Sequence, residues 1–274
     1  MLPGPGPSVC RACSETGGVK VLNESLYDRA DLYHRAFSWD LESEIEFYLE
    51  LFSSSPFPVE RILEPACGSG RYFPGLAKRG MHVTGYDLNP AMVERAEKLI
   101  AEQQLRNCRV HLGDMAGFHL AEQFDGALNP VNSFRYLTED RQILNHLQRT
   151  ADMLRKGALY VLEFAYAFED PASGFHAVWD IPDEDSTLHA EWILLKEDPQ
   201  QKISLEECVI HHSGREFRDL HRVRLWLHED FQNILAALPD LRLKAVYDSE
   251  GMQVLSPRYF GEMGNLYHIL EKTV

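Results

Sequence analysis

The stretch Arg61–Gly80, RILEPACGSGRYFPGLAKRG, constrains this chain more than any other. Ile62 and Leu63 form a short apolar run that leads to an acid, Glu64. Small and turn-forming residues follow, ending in Gly68-Ser69-Gly70. Tyr72, Phe73, Leu76 and Ala77 then recur at helical spacing before Gly80. The pattern predicts a buried strand, a glycine turn and a helix. Glycine belongs in such a turn because a residue without Cβ tolerates unusual φ and lets a ligand lie against the backbone.

Two phosphate loops fail on the residues present. A dinucleotide fingerprint needs a small residue three places after Gly70, and Phe73 stands there. A nucleotide-triphosphate loop needs Lys-Ser/Thr after its last glycine, whereas Gly80 is followed by Met81.

The stretch instead resembles motif I of the class I S-adenosylmethionine (SAM)-dependent methyltransferases, an acid followed by small-x-Gly-x-Gly. Glu64, Ala66, Gly68 and Gly70 carry the match, with Ala66 where the first glycine usually stands. Asp87 ends a second strand, Met81–Tyr86, seventeen residues after Gly70, with Leu88 next. The resemblance implies that Asp87 accepts hydrogen bonds from both ribose hydroxyls, a task suited to two carboxylate oxygens. Gly113-Asp114-Met115 follows a third strand, and by the same resemblance Asp114 receives the adenine amino group while Met115 lies against the ring. After a fourth strand, Phe124–Leu128, comes Asn129-Pro130-Val131-Asn132-Ser133. Asn132-Ser133 is similar to the Asn-Ser of glycine and sarcosine N-methyltransferase-like enzymes, and methionine-facing and catalytic groups are expected here, Asn129 and Asn132 among them. Nucleic-acid N6-methylating enzymes carry Asn-Pro-Pro-aromatic at this place, which Val131 and Asn132 break.

At 274 residues the chain can bury roughly 75% of its unfolded surface without staples. The formal charge of −15 repels phosphate and speaks against a nucleic-acid partner. Five scattered cysteines suggest a reducing compartment. Cys10 and Cys13 have the spacing of half a zinc site, but no second pair follows, so free thiols and no metal are expected. No apolar run approaches the ~20 residues of a membrane span. The opening MLPGPGPS is broken by prolines and does not read as a signal peptide, so the expected location is cytoplasmic.

Four segments are expected. Residues 1–22 form a flexible tail. Residues 23–164 hold N-terminal cap helices and the cofactor-binding α/β core, ending in a helix from Thr138 to about Leu154, capped by Gly157, and a fifth strand, Ala158–Phe164. Residues 165–227 are an inserted antiparallel flap, with a loop over 165–187 and three runs of period two. Residues 228–274 return to the core with a helix and two pairing strands. The resemblance thus implies a Rossmann-like, seven-stranded methyltransferase sheet, mostly parallel with an antiparallel last strand, plus the β flap. Tyr27-Asp28 and Leu32-Tyr33 resemble the Tyr-Asp element that closes over the cofactor in many small-molecule methyltransferases.

Methyl transfer is an in-line displacement, so positioning dominates, with the nucleophile ~3–3.5 Å from the methyl carbon. Tyr33, His34, Glu163 and His176 are the candidate bases near the expected mouth, and aromatic residues there could attract a sulfonium. The leading expectation is methyl transfer from SAM to N or O of a small molecule. Alternatives are intramolecular cyclisation of the methionine moiety, releasing methylthioadenosine, and a catalytically silent SAM-binding subunit.

Overall fold

A computed structural model of the chain describes residues 20–23, 25–167, 175–183, 186–255 and 265–274. Cys10, Cys13 and the proline-rich opening lie outside the described residues, as do Phe168, Glu169, Asp170, Glu184 and Asp185 of the expected loop.

The chain begins with a strand, β1 (Lys20–Asn23), a 3-10 turn (Leu26–Asp28) and two helices, α1 (Ala30–Ala36) and α2 (Glu42–Ser53). Alternating strands and helices follow: β2 (Arg61–Pro65), α3 (Phe73–Lys78), β3 (His82–Asp87), α4 (Pro90–Glu102), β4 (Cys108–Leu112) and β5 (Phe124–Asn129). A second 3-10 turn (Ser133–Tyr136), α5 (Asp140–Asp152) and β6 (Leu154–Phe164) complete this half. Then come β7 (His176–Asp183), β8 (Ser186–Asp198), β9 (Ile203–His212) and β10 (Arg215–Arg224), and finally α6 (His228–Ala236), β11 (Leu241–Tyr247) and β12 (Leu266–Lys272).

Seven strands make one sheet in the order β11-β12-β6-β5-β2-β3-β4. The pairs β2–β3, β3–β4, β2–β5 and β5–β6 are parallel, while β12 runs antiparallel to β6 and β11. This is the expected seven-stranded sheet with an antiparallel strand near its end. β5 is buried along its whole length and β2 from Ile62 onward, as strands covered on both faces must be. Helix α4 opens where Asn89-Pro90 predicted: the Asn89 side chain accepts the Ala91 and Met92 N–H groups at 2.8 and 3.3 Å. Strand order reverses between β2 and β5, and the crevice beyond their carboxyl ends is where open α/β sheets bind ligands.

The flap is a second sheet, β1-β10-β9-β8-β7, and it differs from expectation in two ways. Residues 176–183 form a strand rather than loop, pairing with β8 from His176↔Ile193 to Asp183↔Ser186. The cluster of acids and aromatics hid its period of two. Residues 20–22, expected in the tail, form a strand parallel to β10. Gly157 does not cap α5: that helix ends at Asp152, and Gly157 lies inside β6 with φ +86°. The β5–β6 register shifts here, and glycine supplies the left-handed residue that such an irregularity needs.

Two apolar layers cover the central sheet. One packs α5 and α6 through Leu147, Phe231 and Trp226, and the other packs α2 and α3 through Tyr48, Phe52 and Phe73. A third, separate core joins the N-terminal segment (Leu26, Leu32, Phe37) to the flap (Leu188, Ala190, Cys208, Ile210). The first 3-10 turn, α1 and the flap therefore share a core that the central sheet does not.

Candidate active site

The loop after β2 turns on three left-handed residues, Ala66 (φ +52°), Gly68 (φ +54°) and Gly70 (φ +75°). A Cβ on Gly70 would sit 3.0 Å from the Phe73 ring, so the helix start packs down only because that side chain is missing. The Gly68 N–H donates to Asp87 Oδ2 at 2.8 Å, and Asn89 N–H donates to Oδ1 at 2.9 Å. Asp87 thus ties the β2 loop to the β3 end. Burial pushes its carboxyl up, against the lowering effect of these backbone donors.

Glu64 is buried in β2, and one of its oxygens has no hydrogen-bond partner among the described residues. Burial raises its pKa well above the usual range, Arg71 opposes this, and Asp87 and Glu44 add to it. An orphaned carboxylate oxygen behind a glycine loop suits a ligand that brings a cationic hydrogen-bond donor. On the other side, Ser69 Oγ lies 2.8 Å from His34 Nδ1, which anchors α1 to the loop. Burial, with help from Arg95 and Arg71, lowers His34 to about 4, so it is neutral near pH 7. Tyr33 stands beside Gly68.

One cavity of about 590 Å³ spans the crevice and the flap, within the range of about 300–1,000 Å³ typical of ligand sites. Ala66, Gly68, Asp87, Leu88, Asp114 and Met115 line its sheet end. Tyr166, Phe175, Ala177, Trp179, Trp192 and Val223 line its flap end, with Tyr27, Tyr33, Asn132, Ser133 and Tyr136 between. Glu64, Gly70 and Asn129, expected to touch the cofactor, do not line the cavity. Asn129 spends its amide on the Pro65 carbonyl at 2.8 Å, locking β5 to β2 at the switch point.

Among the expected catalytic residues, Tyr33 and Asn132 face the cavity, and Glu163 and His176 do not line it. His176 is displaced by strand alternation: Phe175, Ala177 and Trp179 line the cavity, so His176 takes the opposite face, where it meets Glu191 at 2.6 Å. Glu163 stands behind Asn132 at the end of a directed chain. The Ala165 N–H donates to Asn132 Oδ1 at 2.8 Å, and Asn132 Nδ2 donates to Asn265 Oδ1 at 2.9 Å. Asn265 Nδ2 and the Val131 N–H then each donate to one Glu163 oxygen. Backbone donors at both ends fix the amide orientations and leave Glu163 as acceptor only. Burial first, then the Glu44 carboxylate, push it up to about 7. The chain holds Val131 (φ +56°) and Asn132 (φ +59°) in left-handed backbone, a strained state for a β-branched residue.

At the flap end sequence reasoning found Tyr27 but missed Arg135, Tyr136, Glu206 and His221. Arg135 and Glu206 both line the cavity and pair at 2.6 Å, and Trp192 Nε1 also donates to Glu206 at 2.7 Å. Burial would raise Glu206, but Arg135 and the other donors outweigh it and hold it below the usual value. Tyr27, Tyr136 and His221 form a polar chain beside them. Each comes from a different element, and only tertiary structure assembles them.

A family model described as a methyltransferase domain matches residues 62–157. The chain is similar to dTDP-3-amino-3,4,6-trideoxy-alpha-D-glucopyranose N,N-dimethyltransferase of Streptomyces venezuelae, 22% identical over 77% of this chain and 87% of that one. Residues 62–157 thus carry a methyltransferase domain. The matched segment runs from β2 into β6 and contains every left-handed residue of the crevice loops. Among solved structures, a SAM-dependent methyltransferase from Clostridium acetobutylicum superposes with TM-score 0.72 at 15% identity, covering 91% of this chain and 100% of that one. The sugar N-methyltransferase KedS8 from Streptoalloteichus gives TM-score 0.69 at 21% identity, covering 98% of this chain and all of that one. The likeness to these solved structures shows the fold of the chain. None of its helices, among the described residues, is long and apolar enough to cross a membrane.

Proposed function

We propose that this protein is an N-methyltransferase whose acceptor is a small amine held at the flap end of the cavity. The observation that carries this reading is the continuity of one cavity from the Asp87 end to the flap aromatics, which leaves room beside the methyl-donor position for a second molecule. The named activities of relatives on amino sugars favour nitrogen over oxygen.

SAM, when bound, supplies an electrophilic methyl group on a sulfonium. Asp87 receives the ribose hydroxyls on its remaining lone pairs, and Asp114 with Met115 holds the adenine. The Ala66–Gly70 loop would cradle the methionine part, with the Glu64 carboxyl buried behind it. Tyr33 and the cap helices close the site against water. Asn132, fixed by Ala165 and Asn265, shapes the waist where the acceptor nitrogen meets the methyl. The acidic surface argues against nucleic acid as acceptor. The three described cysteines are free and buried, in keeping with a cytoplasmic setting.

The test is to incubate the protein with SAM, alone and with dTDP-3-amino-3,4,6-trideoxyglucose or simple primary amines, and to quantify both nucleoside products. S-adenosylhomocysteine formed only with an amine, and lost in Asp87→Ala, supports the reading. Methylthioadenosine formed without any acceptor would replace it with intramolecular cyclisation.

A further inference from the structure

Three side chains from three elements make a continuous path out of the cavity. Tyr27, in the first 3-10 turn, and Tyr136, in the second, both line the cavity, and their hydroxyl oxygens lie 2.5 Å apart. Tyr136 Oη lies 2.8 Å from His221 Nδ1 in β10. His221 is 3% exposed and does not line the cavity, and its ring stacks on Trp192 with centroids 4.7 Å apart. Its other nitrogen, Nε2, is buried without a hydrogen-bond partner among the described residues. It lies 3.8 Å from Asp219 Oδ2, an ion-pair separation. Asp219 is held in place by the Leu26 N–H, which donates to it at 2.7 Å.

This layout has a direction. A carboxylate beyond Nε2 favours the tautomer with its proton there, which leaves Nδ1 as acceptor for the Tyr136 hydroxyl. Tyr136 oxygen then accepts from Tyr27, a residue of the cavity wall whose own oxygen keeps a lone pair to accept a further proton. Every donor in the chain points away from the cavity and toward the imidazole. The charged groups facing His221 are Asp219 on its own strand and Glu206 on β9. Glu206 is already neutralised by Arg135 from the second 3-10 turn, and Tyr27, Tyr136 and Trp192 complete the surroundings. Burial lowers the imidazole pKa and the two carboxylates raise it, so the resting ring is neutral but a proton arriving on it meets stabilising charge.

We propose that His221 is the proton sink of the methyl transfer, reached from the acceptor through Tyr27 and Tyr136. The proposal rests on the reading above that the acceptor is an amine. As the amine nitrogen bonds the methyl carbon and the sulfur–carbon bond breaks, the positive charge passes from sulfur to nitrogen. The nitrogen then loses a proton to Tyr27 oxygen, Tyr27 passes its own to Tyr136, and Tyr136 passes its own to His221 Nδ1. The products are the thioether, the methylated amine and an imidazolium. The single positive charge that entered on sulfur ends on His221, and both tyrosines are restored as neutral phenols. Without such a sink the product would stay a cation in an enclosed aromatic site. A second methylation of the same nitrogen would be blocked, because its lone pair would be occupied.

Two measurements test this. In ¹⁵N-histidine-labelled protein without any acceptor, the His221 ring must be in the Nε2–H tautomer, and Tyr136→Phe must shift its Nδ1 resonance. An Nδ1–H tautomer overturns the relay whatever the acceptor proves to be. With dTDP-3-amino-3,4,6-trideoxyglucose as acceptor, His221→Gln and Tyr136→Phe should each lower kcat at least tenfold. Neither should change SAM affinity measured by titration, and the double variant should lose little more than either single one. The wild-type rate should fall on the acid side as His221 protonates, and His221→Gln should lose that limb. Variants that keep both the limb and the rate overturn the relay. A wild-type protein inactive on every amine but with the Nε2–H ring overturns the amine reading, and with it the relay.

Discussion

Asp87 and Gly68 are joined by a 2.8 Å hydrogen bond from the glycine N–H to Oδ2, so the acid expected to bind ribose also holds the loop proposed to cradle the cofactor. Asp87→Ala therefore removes two things at once. Charge-assisted bonds contribute about 1.5–3 kcal/mol each, so SAM affinity should fall at least tenfold by isothermal titration. Thermal stability should fall as well, because the Gly68 and Asn89 N–H groups lose their acceptor. An unchanged dissociation constant would remove Asp87 from the cofactor site.

Ala66 occupies left-handed backbone at φ +52°, where an alanine is strained by roughly 1–2 kcal/mol. Ala66→Gly should relieve this, less the entropy that glycine adds to the unfolded chain, for a net gain of about 0.5–1 kcal/mol. A urea melt would register it, and a lower midpoint would mean that the Ala66 methyl contributes more by packing than its backbone costs.

Glu163 gives a pH dependence with a definite sign. Its carboxyl is raised to about 7 in the folded protein, above its unfolded value, so it binds a proton more tightly when folded. Its contribution to stability is complete below the unfolded pKa and is lost as pH rises through about 7. Glu163→Gln should flatten that part of the stability profile between pH 5 and 8. It should also cost about 1–3 kcal/mol throughout, because an amide NH₂ then confronts a donor from Val131 or Asn265. Urea melts of both proteins across this range would show a difference that changes with pH, or refute it.

Two of the four arginines between Arg215 and Arg224 are held by acids. Arg218 pairs with Glu207 and Glu216 at 2.9 and 2.6 Å, and Arg224 pairs with Asp140 at 2.7 Å. Fluorescence anisotropy should therefore detect no salt-sensitive binding to duplex DNA at physiological salt.

The central sheet and its crevice were legible because their signals are local. Glu64 to Gly70, Asp87 and Gly113 to Met115 each lie within a few residues of a strand end, and each strand end carries its own turn chemistry. Asn89-Pro90 announced α4 for the same reason. The flap end was not legible, since Tyr27, Tyr136 and His221 are spread over nearly two hundred positions and nothing in any one segment marks the others. His176 went astray because a one-residue step along a strand moves a side chain to the other face, and sequence gives the alternation but not which face is inside. Glu163 was found as a strand-end acid, but its amide partners come from loops far apart in the chain.

The third hydrophobic core, shared by Leu26, Leu32 and Phe37 with Leu188, Ala190 and Ile210, has a consequence for how such an enzyme diversifies. Substitutions that reshape the acceptor wall are absorbed within a core that shares no buried side chain with the two that cover the central sheet. On the proposed reading, mutational drift can alter the flap side of the cavity while the two cores that cover the central sheet keep their packing, a separation of inheritable parts within a single chain.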